Sequence, residues 1–228
     1  MIVESMTYDE IACKYNEIYE KVEPRYMAKA DCNKMRRFLV KNKKAENVWF
    51  KPIEFEIDLS TVFCFLPFAL SYKDFQKYGN HPYTLTYMRY IINKGYMVVV
   101  RGGEYDNEYA FYTSHFFDRY RERGLKNLSL EKEIVIMEFF KNNRSFCSRP
   151  FPKLDSENYI GVTDSGIIFS RKISNNITIY KTYITKEDLK EDQLDAVAEV
   201  GEGLEELLQY REQLRDIVLS QFSQQNYY

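Results

Sequence analysis

The first amphipathic pattern in the chain covers residues 7–44. Apolar side chains recur at helical spacing before Pro24 and continue more loosely after it, at Ile11, Tyr15, Ile18, Tyr19, Val22, Tyr26, Ala30 and Leu39. A spacing of three to four residues is typical of a helix with one buried face. Proline removes a helix donor and kinks the backbone. The pattern therefore predicts a helix over 7–44 with a break near Pro24.

Strict alternation replaces helical spacing in the next segment, 47–70. Acidic residues alternate with apolar ones from Ile53 to Leu59, which predicts a half-buried strand. The apolar run from Phe63 to Leu70 is too short and too aromatic to be assigned. Residues 97–101 read as a buried strand that ends at Gly102, and the glycine pair there lacks the spacing of a phosphate-binding loop.

The second half of the chain alternates helices with short strands. We predict a strand over 109–113, a helix from Ser114 to Gly124, a second helix from Ser129 to Asn142, and a loop over 143–157. Three strands follow as an antiparallel meander, at 159–163, 167–173 and 177–184, separated by turn residues. Residues 186–222 show helical periodicity, with a hinge at the glycines of 201–203.

Composition excludes several classes of protein. The chain has 45% hydrophobic and 29% charged residues, which is typical of a globular fold. It shows neither an apolar run long enough for a membrane span nor a signal peptide. Its four cysteines (Cys13, Cys32, Cys64 and Cys147) form no Cys-x-x-Cys pair. We therefore expect a reduced, cytoplasmic protein with no metal and no membrane partner.

Charge is distributed unevenly along the chain. Residues 89–185 carry 15 basic and 11 acidic side chains, whereas residues 186–228 carry 4 basic and 11 acidic ones. The middle of the chain is therefore suited to a polyanion and the tail would repel one. The acidic segment 186–222 is interpreted either as a packing helix or as an arm for self-association or an inhibitor. The oligomeric state stays open.

The candidate chemistry lies in the helix predicted from Ser114. At 100° per residue, His115, Arg119, Glu122 and Arg123 share one face, and Phe116, Phe117 and Tyr120 share the other. An imidazole can move a proton, and guanidiniums can hold phosphate oxygens in pairs. The alternative is an ordinary solvated helix, in which Glu122 pairs with Arg119 and Asp118 with Arg121.

The spacing His-x-x-x-Arg-x-x-x-Arg-Gly, on a helix between a short strand and an antiparallel sheet, resembles the barnase–EndoU–colicin–RelE superfamily of ribonuclease toxins. The resemblance implies that His115 is the base or acid and that Arg119 holds the phosphate. Arg123 and Lys181 would be secondary cations, and Thr182 or Tyr183 would complete the site from the last strand. It implies no metal and no cofactor.

Together these patterns predict an α+β fold, with helices at both ends around an antiparallel sheet and a nuclease-toxin-like core in the second half. The expected division is 1–108, of unknown role, 109–185, the core, and 186–228, the acidic segment. The expected function is metal-independent endoribonuclease activity, or RNA binding by a diverged relative from a phage or mobile element. The alternative is a non-enzymatic assembly protein that oligomerises through its helices.

Overall fold

The computed structural model describes residues 2–92, 95–102, 108–143, 146–150, 157–189 and 197. These residues form helices and antiparallel strands, so the predicted α+β class is confirmed. The chain divides into two compact units. The first consists of Met1–Ser114 and Ile173–Ile179, and the second of His115–Lys172 and the chain from Tyr180 onward. These boundaries differ from the predicted division at 108 and 185.

The first unit begins with helix α1 (Tyr8–Lys29) and helix α2 (Cys32–Lys41). Thr7 and Glu10 form a capping box, in which each side chain accepts from the other residue's backbone N–H. The predicted break at Pro24 is wrong, because the helix runs through the proline. Val22 and Tyr26, on either side of Pro24, are buried against the fold, and this packing keeps the helix continuous. The break falls at Asp31, whose side chain caps α2.

The sheet of the first unit is built from consecutive antiparallel strands. They are β1 (Val48–Trp49), β2 (Ile53–Asp58), β3 (Thr61–Ala69), β4 (Tyr83–Ile92), β5 (Gly95–Arg101) and β6 (Tyr109–Thr113). Strand β3 is central and pairs with β4 on one side and with β1 and β2 on the other. Strands β5 and β6 follow β4 in order. The sequence analysis missed β4 and helix α3 (Tyr72–Lys77).

Aromatic packing seats α1 on this sheet. The ring of Tyr26 stacks on Phe65 at 4.3 Å, and that of Tyr15 lies 4.9 Å from Phe63. The buried hydroxyl of Tyr15 bonds to Oγ1 of Thr86 at 2.7 Å. A smaller cluster seats α2, where Met35 and Leu39 pack against Ala69 and Phe75.

Among the described residues, the second unit contains two helices and most of a four-stranded meander, whose segment Ile173–Ile179 belongs to the first unit. Helix α4 (Ser114–Arg119) continues into a π-helical turn (Tyr120–Gly124) and is followed by helix α5 (Lys132–Asn142). The strands are β7 (Phe146–Pro150), β8 (Asn158–Thr163), β9 (Ile167–Ser174) and β10 (Ile177–Ile184). They are neighbours in that order. A short 3₁₀ turn covers Lys186–Asp188.

Two boundaries in this unit differ from the sequence prediction. The expected loop at 143–157 contains β7, which pairs with β8. Helix α5 begins at Lys132 rather than Ser129, because the amide and hydroxyl of Ser129 both bond to the side chain of Asn127. The three predicted strands of the meander are confirmed. The predicted helix over 186–222 lies almost wholly outside the described residues.

Replacing Leu39 with alanine should show how much the buried face of α2 contributes to stability compared with its exposed face. Leu39 is fully buried, whereas its neighbour Val40 is 39% exposed. A Leu39→Ala substitution should lower the free energy of unfolding by about 2–5 kcal/mol, because it leaves a cavity. Val40→Ala should change it by less than about 0.5 kcal/mol. Urea unfolding measures both, and equal losses would show that α2 is not seated by Leu39.

Alkaline conditions should weaken the first unit. Burial raises the pKa of Cys64 to about 12 and also raises the pKa values of Tyr15, Tyr87 and Tyr90. Below the ordinary thiol pKa of 9.0 both states keep the proton. Above it the unfolded thiol ionises first, so the free energy of unfolding should fall as pH rises.

A Cys64→Ala variant isolates the thiol's share of this effect. Its unfolding free energy should fall less steeply above about pH 9, by up to about 1.4 kcal/mol per pH unit. Urea midpoints from neutral to alkaline pH provide the measurement. An unchanged slope in the variant would assign the whole effect to the tyrosines.

Candidate functional site

The helix α4 presents His115 and Arg119 one turn apart on its outer side. His115 is exposed, and its ring has no hydrogen-bond partner among the residues that the structure describes. Arg119 is 36% exposed at its side chain. Both positions lie in the α-helical part, so residues four apart are neighbours on one face. His115 and Arg119 therefore lie on one face of α4, as the helical spacing predicts.

An aromatic cluster fixes the other face of this helix. Phe116 and Tyr120 lie edge-on to Phe139 of α5, with ring centroids 4.9 and 5.1 Å apart. Tyr120 also lies edge-on to Tyr183 of β10 at 5.0 Å. Edge-to-face rings at this separation attract one another beyond their buried area. The helix therefore has one orientation, with its polar face outward.

The π-helical turn moves Arg123 out of simple α-helical register. The N–H of Leu125 donates to the carbonyl of Tyr120 five residues earlier, at 2.9 Å. Gly124 permits this turn, since a Cβ there would come within 2.6 Å of the Tyr120 ring. Arg123 pairs with Asp188 at 3.5 Å. Arg123 is thus held by the segment that follows β10.

Carboxylates accompany the other arginines as well. Arg119 pairs with Glu122 at 2.7 Å, and Arg121 with Asp118 at 3.0 Å. The ordinary solvated pairs expected of an amphipathic helix are therefore present. Such exposed pairs are worth about 0–1 kcal/mol each. The carboxylates of Glu122 and Asp118 therefore bond to arginines and not to the His115 ring.

The three predicted strand residues take different positions in β10. Lys181 is exposed, Thr182 is half-buried and Tyr183 is fully buried. The hydroxyl of Tyr183 donates to the carbonyl of Ser165 at 2.5 Å, and burial raises its pKa. Tyr183 therefore supports the helix from below and does not offer its hydroxyl to solvent. Lys181 is the strand residue that reaches the surface.

A polar cluster that the sequence analysis missed ties α5 to the turn between β8 and β9. The side-chain oxygen of Asn143, at the end of α5, accepts from both the N–H and the hydroxyl of Ser165, at 3.0 and 2.7 Å. Thr163 and Gly166 bond to each other across the same turn. A Cβ at Gly166 would overlap the Tyr183 hydroxyl. The asparagine at the end of the helix and the Asp-Ser-Gly turn were the signals in the sequence.

The first unit contains a separate cavity of about 550 Å³. Its walls include rings of α1, β3 and β4, the hydroxyls of two threonines, and one acidic and one basic side chain: Tyr15, Tyr19, Tyr26, Phe65, Phe68, Tyr83, Thr84, Thr86, Glu23 and Arg101. None of the six predicted site residues lines it. Because strand β4 was not predicted, nothing in the sequence indicated that these residues line one cavity.

The described part of the chain contains no cluster of three or more metal-ligating side chains. The second histidine, His81, is exposed, with Nδ1 at 3.7 Å from the sulfur of Cys32. In the same residues, no helix combines the length and the apolar character that crossing a bilayer requires.

A Tyr183→Phe substitution should show that this hydroxyl stabilises the fold. It removes the hydrogen bond from the buried Tyr183 hydroxyl to the carbonyl of the exposed Ser165, so the free energy of unfolding should fall by about 0.5–1.5 kcal/mol. Tyr159, half-buried on β8, is the matched control. Tyr159→Phe should change stability by less than about 0.5 kcal/mol. Equal effects in urea unfolding would contradict the role given to the Tyr183 hydrogen bond.

Comparison with known proteins gives no relative for this chain. No family model matches it, and neither the curated proteins nor the solved structures contain a significant match. What the chain does must therefore be inferred from its own side chains.

Proposed function

We propose that the protein cleaves RNA without a metal ion, at the face of α4 that carries His115 and Arg119. The observation that carries this proposal is the exposed imidazole of His115, which has no partner among the described residues and lies one turn from a guanidinium. The proposed base, His115, and the proposed phosphate ligand, Arg119, lie on a helix whose orientation is fixed by packing. Fixed geometry is what proton transfer and charge stabilisation require.

The proposed step uses the 2′-hydroxyl of the substrate as nucleophile. His115 accepts the proton of that hydroxyl while the 2′-oxygen forms a bond to phosphorus. The bond from phosphorus to the 5′-oxygen breaks, and the leaving oxygen takes a proton from water. The hydroxide that remains takes the proton from His115 and restores the neutral imidazole. The products are a 2′,3′-cyclic phosphate and a free 5′-hydroxyl. Arg119 binds the non-bridging oxygens, on which negative charge accumulates.

Arg119 must exchange Glu122 for phosphate to do this. Its present ion pair is partly exposed at both side chains, 36% and 49%, and is therefore worth about 0–1 kcal/mol. The pair with Glu122 uses one guanidinium nitrogen, whereas phosphate can accept from two at once. Glu122 therefore holds Arg119 in place through a weak contact that phosphate can replace.

The remaining predicted residues have supporting roles in this proposal. Arg123 and Lys181 are the secondary cations, and Thr182 is a polar group on the same strand as Lys181. Tyr183 positions the helix from the interior. The competing interpretation, assembly through the helix of 186–222, concerns residues outside the described part of the chain.

Cleavage of labelled RNA in EDTA tests the proposal. The full chain should cleave it near neutral pH, and His115→Ala should lower the rate by about 10²-fold or more. Arg119→Ala should also lower it, and Arg119→Lys should lie between, because lysine keeps the charge and loses the fork. Lys172→Gln, which removes a cation of the second unit outside the proposed site, should cleave as fast as wild type.

A DNA strand of the same sequence should stay intact because it lacks the nucleophile. Equal cleavage by wild type and His115→Ala would overturn the proposal. So would the absence of cleavage by folded wild-type protein. A Tyr183→Phe variant that stays fully stable and loses cleavage would move Tyr183 from a supporting to a catalytic role.

A further inference from the structure

The segment around α2 carries a cluster of positive charge. Residues 31–46 contain six basic and two acidic side chains, although the whole chain has a net charge of −2. All six are exposed: Lys34, Arg36, Arg37, Lys41, Lys43 and Lys44. None of them has a carboxylate within ion-pair distance in the part of the chain that the structure describes. This contrasts with α4, where Arg119 is neutralised.

The seating of α2 fixes where these charges point. Met35 and Leu39 are buried against the sheet and α3. Arg37 and Lys41 therefore project from the opposite side of the helix, and Arg36 projects from its flank. Asp31, the acidic residue next to α2, already accepts from the backbone of Lys34 as the helix cap. The positive surface is thus rigid at its base, and neither Asp31 nor Glu46 forms an ion pair with its cations among the described residues.

A shallow apolar depression adjoins this surface. It has a volume of about 250 Å³, and Phe38 and Phe50 line it with their rings perpendicular and 6.2 Å apart. Lys34 and Lys51 line it as well. This volume is below the 300–1,000 Å³ of a typical small-molecule pocket and suits a single planar ring. The exposed fraction of Phe38 is 49%, so a ring can reach it from solvent.

We propose that α2 and this depression bind single-stranded nucleic acid. The six cations bind backbone phosphates, and one unstacked base packs against Phe38. Cations next to an exposed aromatic ring are the usual means by which proteins bind single strands of any sequence. A duplex would leave Phe38 without a base. A membrane is a poorer fit, because the main apolar face of α2 is already buried in the fold.

This binding does not depend on cleavage. DNA binds to such a surface as RNA does, and α2 belongs to the first unit whereas His115 belongs to the second. The probes are therefore labelled oligouridylate, labelled oligothymidylate and inorganic polyphosphate, which has charge and no bases. Wild-type protein should bind both oligonucleotides, and its affinity should fall steeply with salt.

Two variants separate the charges from the ring. Arg36→Gln together with Arg37→Gln should weaken binding to all three probes and reduce the salt slope by about 1 for each lost phosphate contact. Phe38→Leu should weaken oligonucleotide binding by about fivefold or more and leave polyphosphate binding unchanged. The matched control, Lys14→Gln with Lys21→Gln, removes two charges from α1 and should bind as wild type does.

The inference would be overturned by wild-type protein that binds neither oligonucleotide at low salt, or by equal losses in the α2 and α1 charge variants. Stronger binding to phosphatidylserine vesicles than to oligonucleotides would identify the surface as a membrane contact and also overturn it. Wild-type protein that binds both oligonucleotides and cleaves neither would retain this inference and remove the enzymatic proposal alone.

Discussion

The rest of this structure depends on the packing of aromatic rings against one face of α1 and one face of α4. In the first unit the rings of α1 lie on Phe63 and Phe65, and in the second unit those of α4 lie on Phe139 and Tyr183. Each aromatic side chain buries 150–250 Å², so a few such contacts fix the orientation of a helix. The orientation of each of these helices then determines which polar residues it exposes.

The exposed basic side chains of α4 and α2 differ in whether they form ion pairs. On α4 and its π-helical turn each arginine has an acidic partner close in sequence or in the turn that follows β10. The cations of α2 form no ion pair with any residue that the structure describes. A cation that already has an acidic partner must release that partner before it binds a new anion. This requirement favours specific contacts over general attraction. An unpaired one attracts any polyanion from a distance, in a salt-dependent manner.

Local patterns in the sequence predicted the elements that have one buried face. Strand β2 alternates, the meander has clear turns, and the helix of His115 shows its two faces in the sequence. Strand β3 is buried on both faces, so it shows no alternation. Pro24 indicated a break that burial of its neighbours prevents. The position of Tyr183 depends on Ser165, Asn143 and Tyr120, which no local pattern connects.

The segment Ile173–Ile179 belongs to the first unit although more than fifty residues of the second precede it in the chain. Its residues Ile177 and Ile179 join the core that contains Tyr109 and Phe111, and the amide of Tyr109 donates to Asn176. During synthesis this core stays incomplete until residue 179 has left the ribosome. The amino-terminal half alone therefore lacks part of its core, and a messenger truncated before this point would yield a product in which the apolar side chains that pack on Ile177 and Ile179 are uncovered.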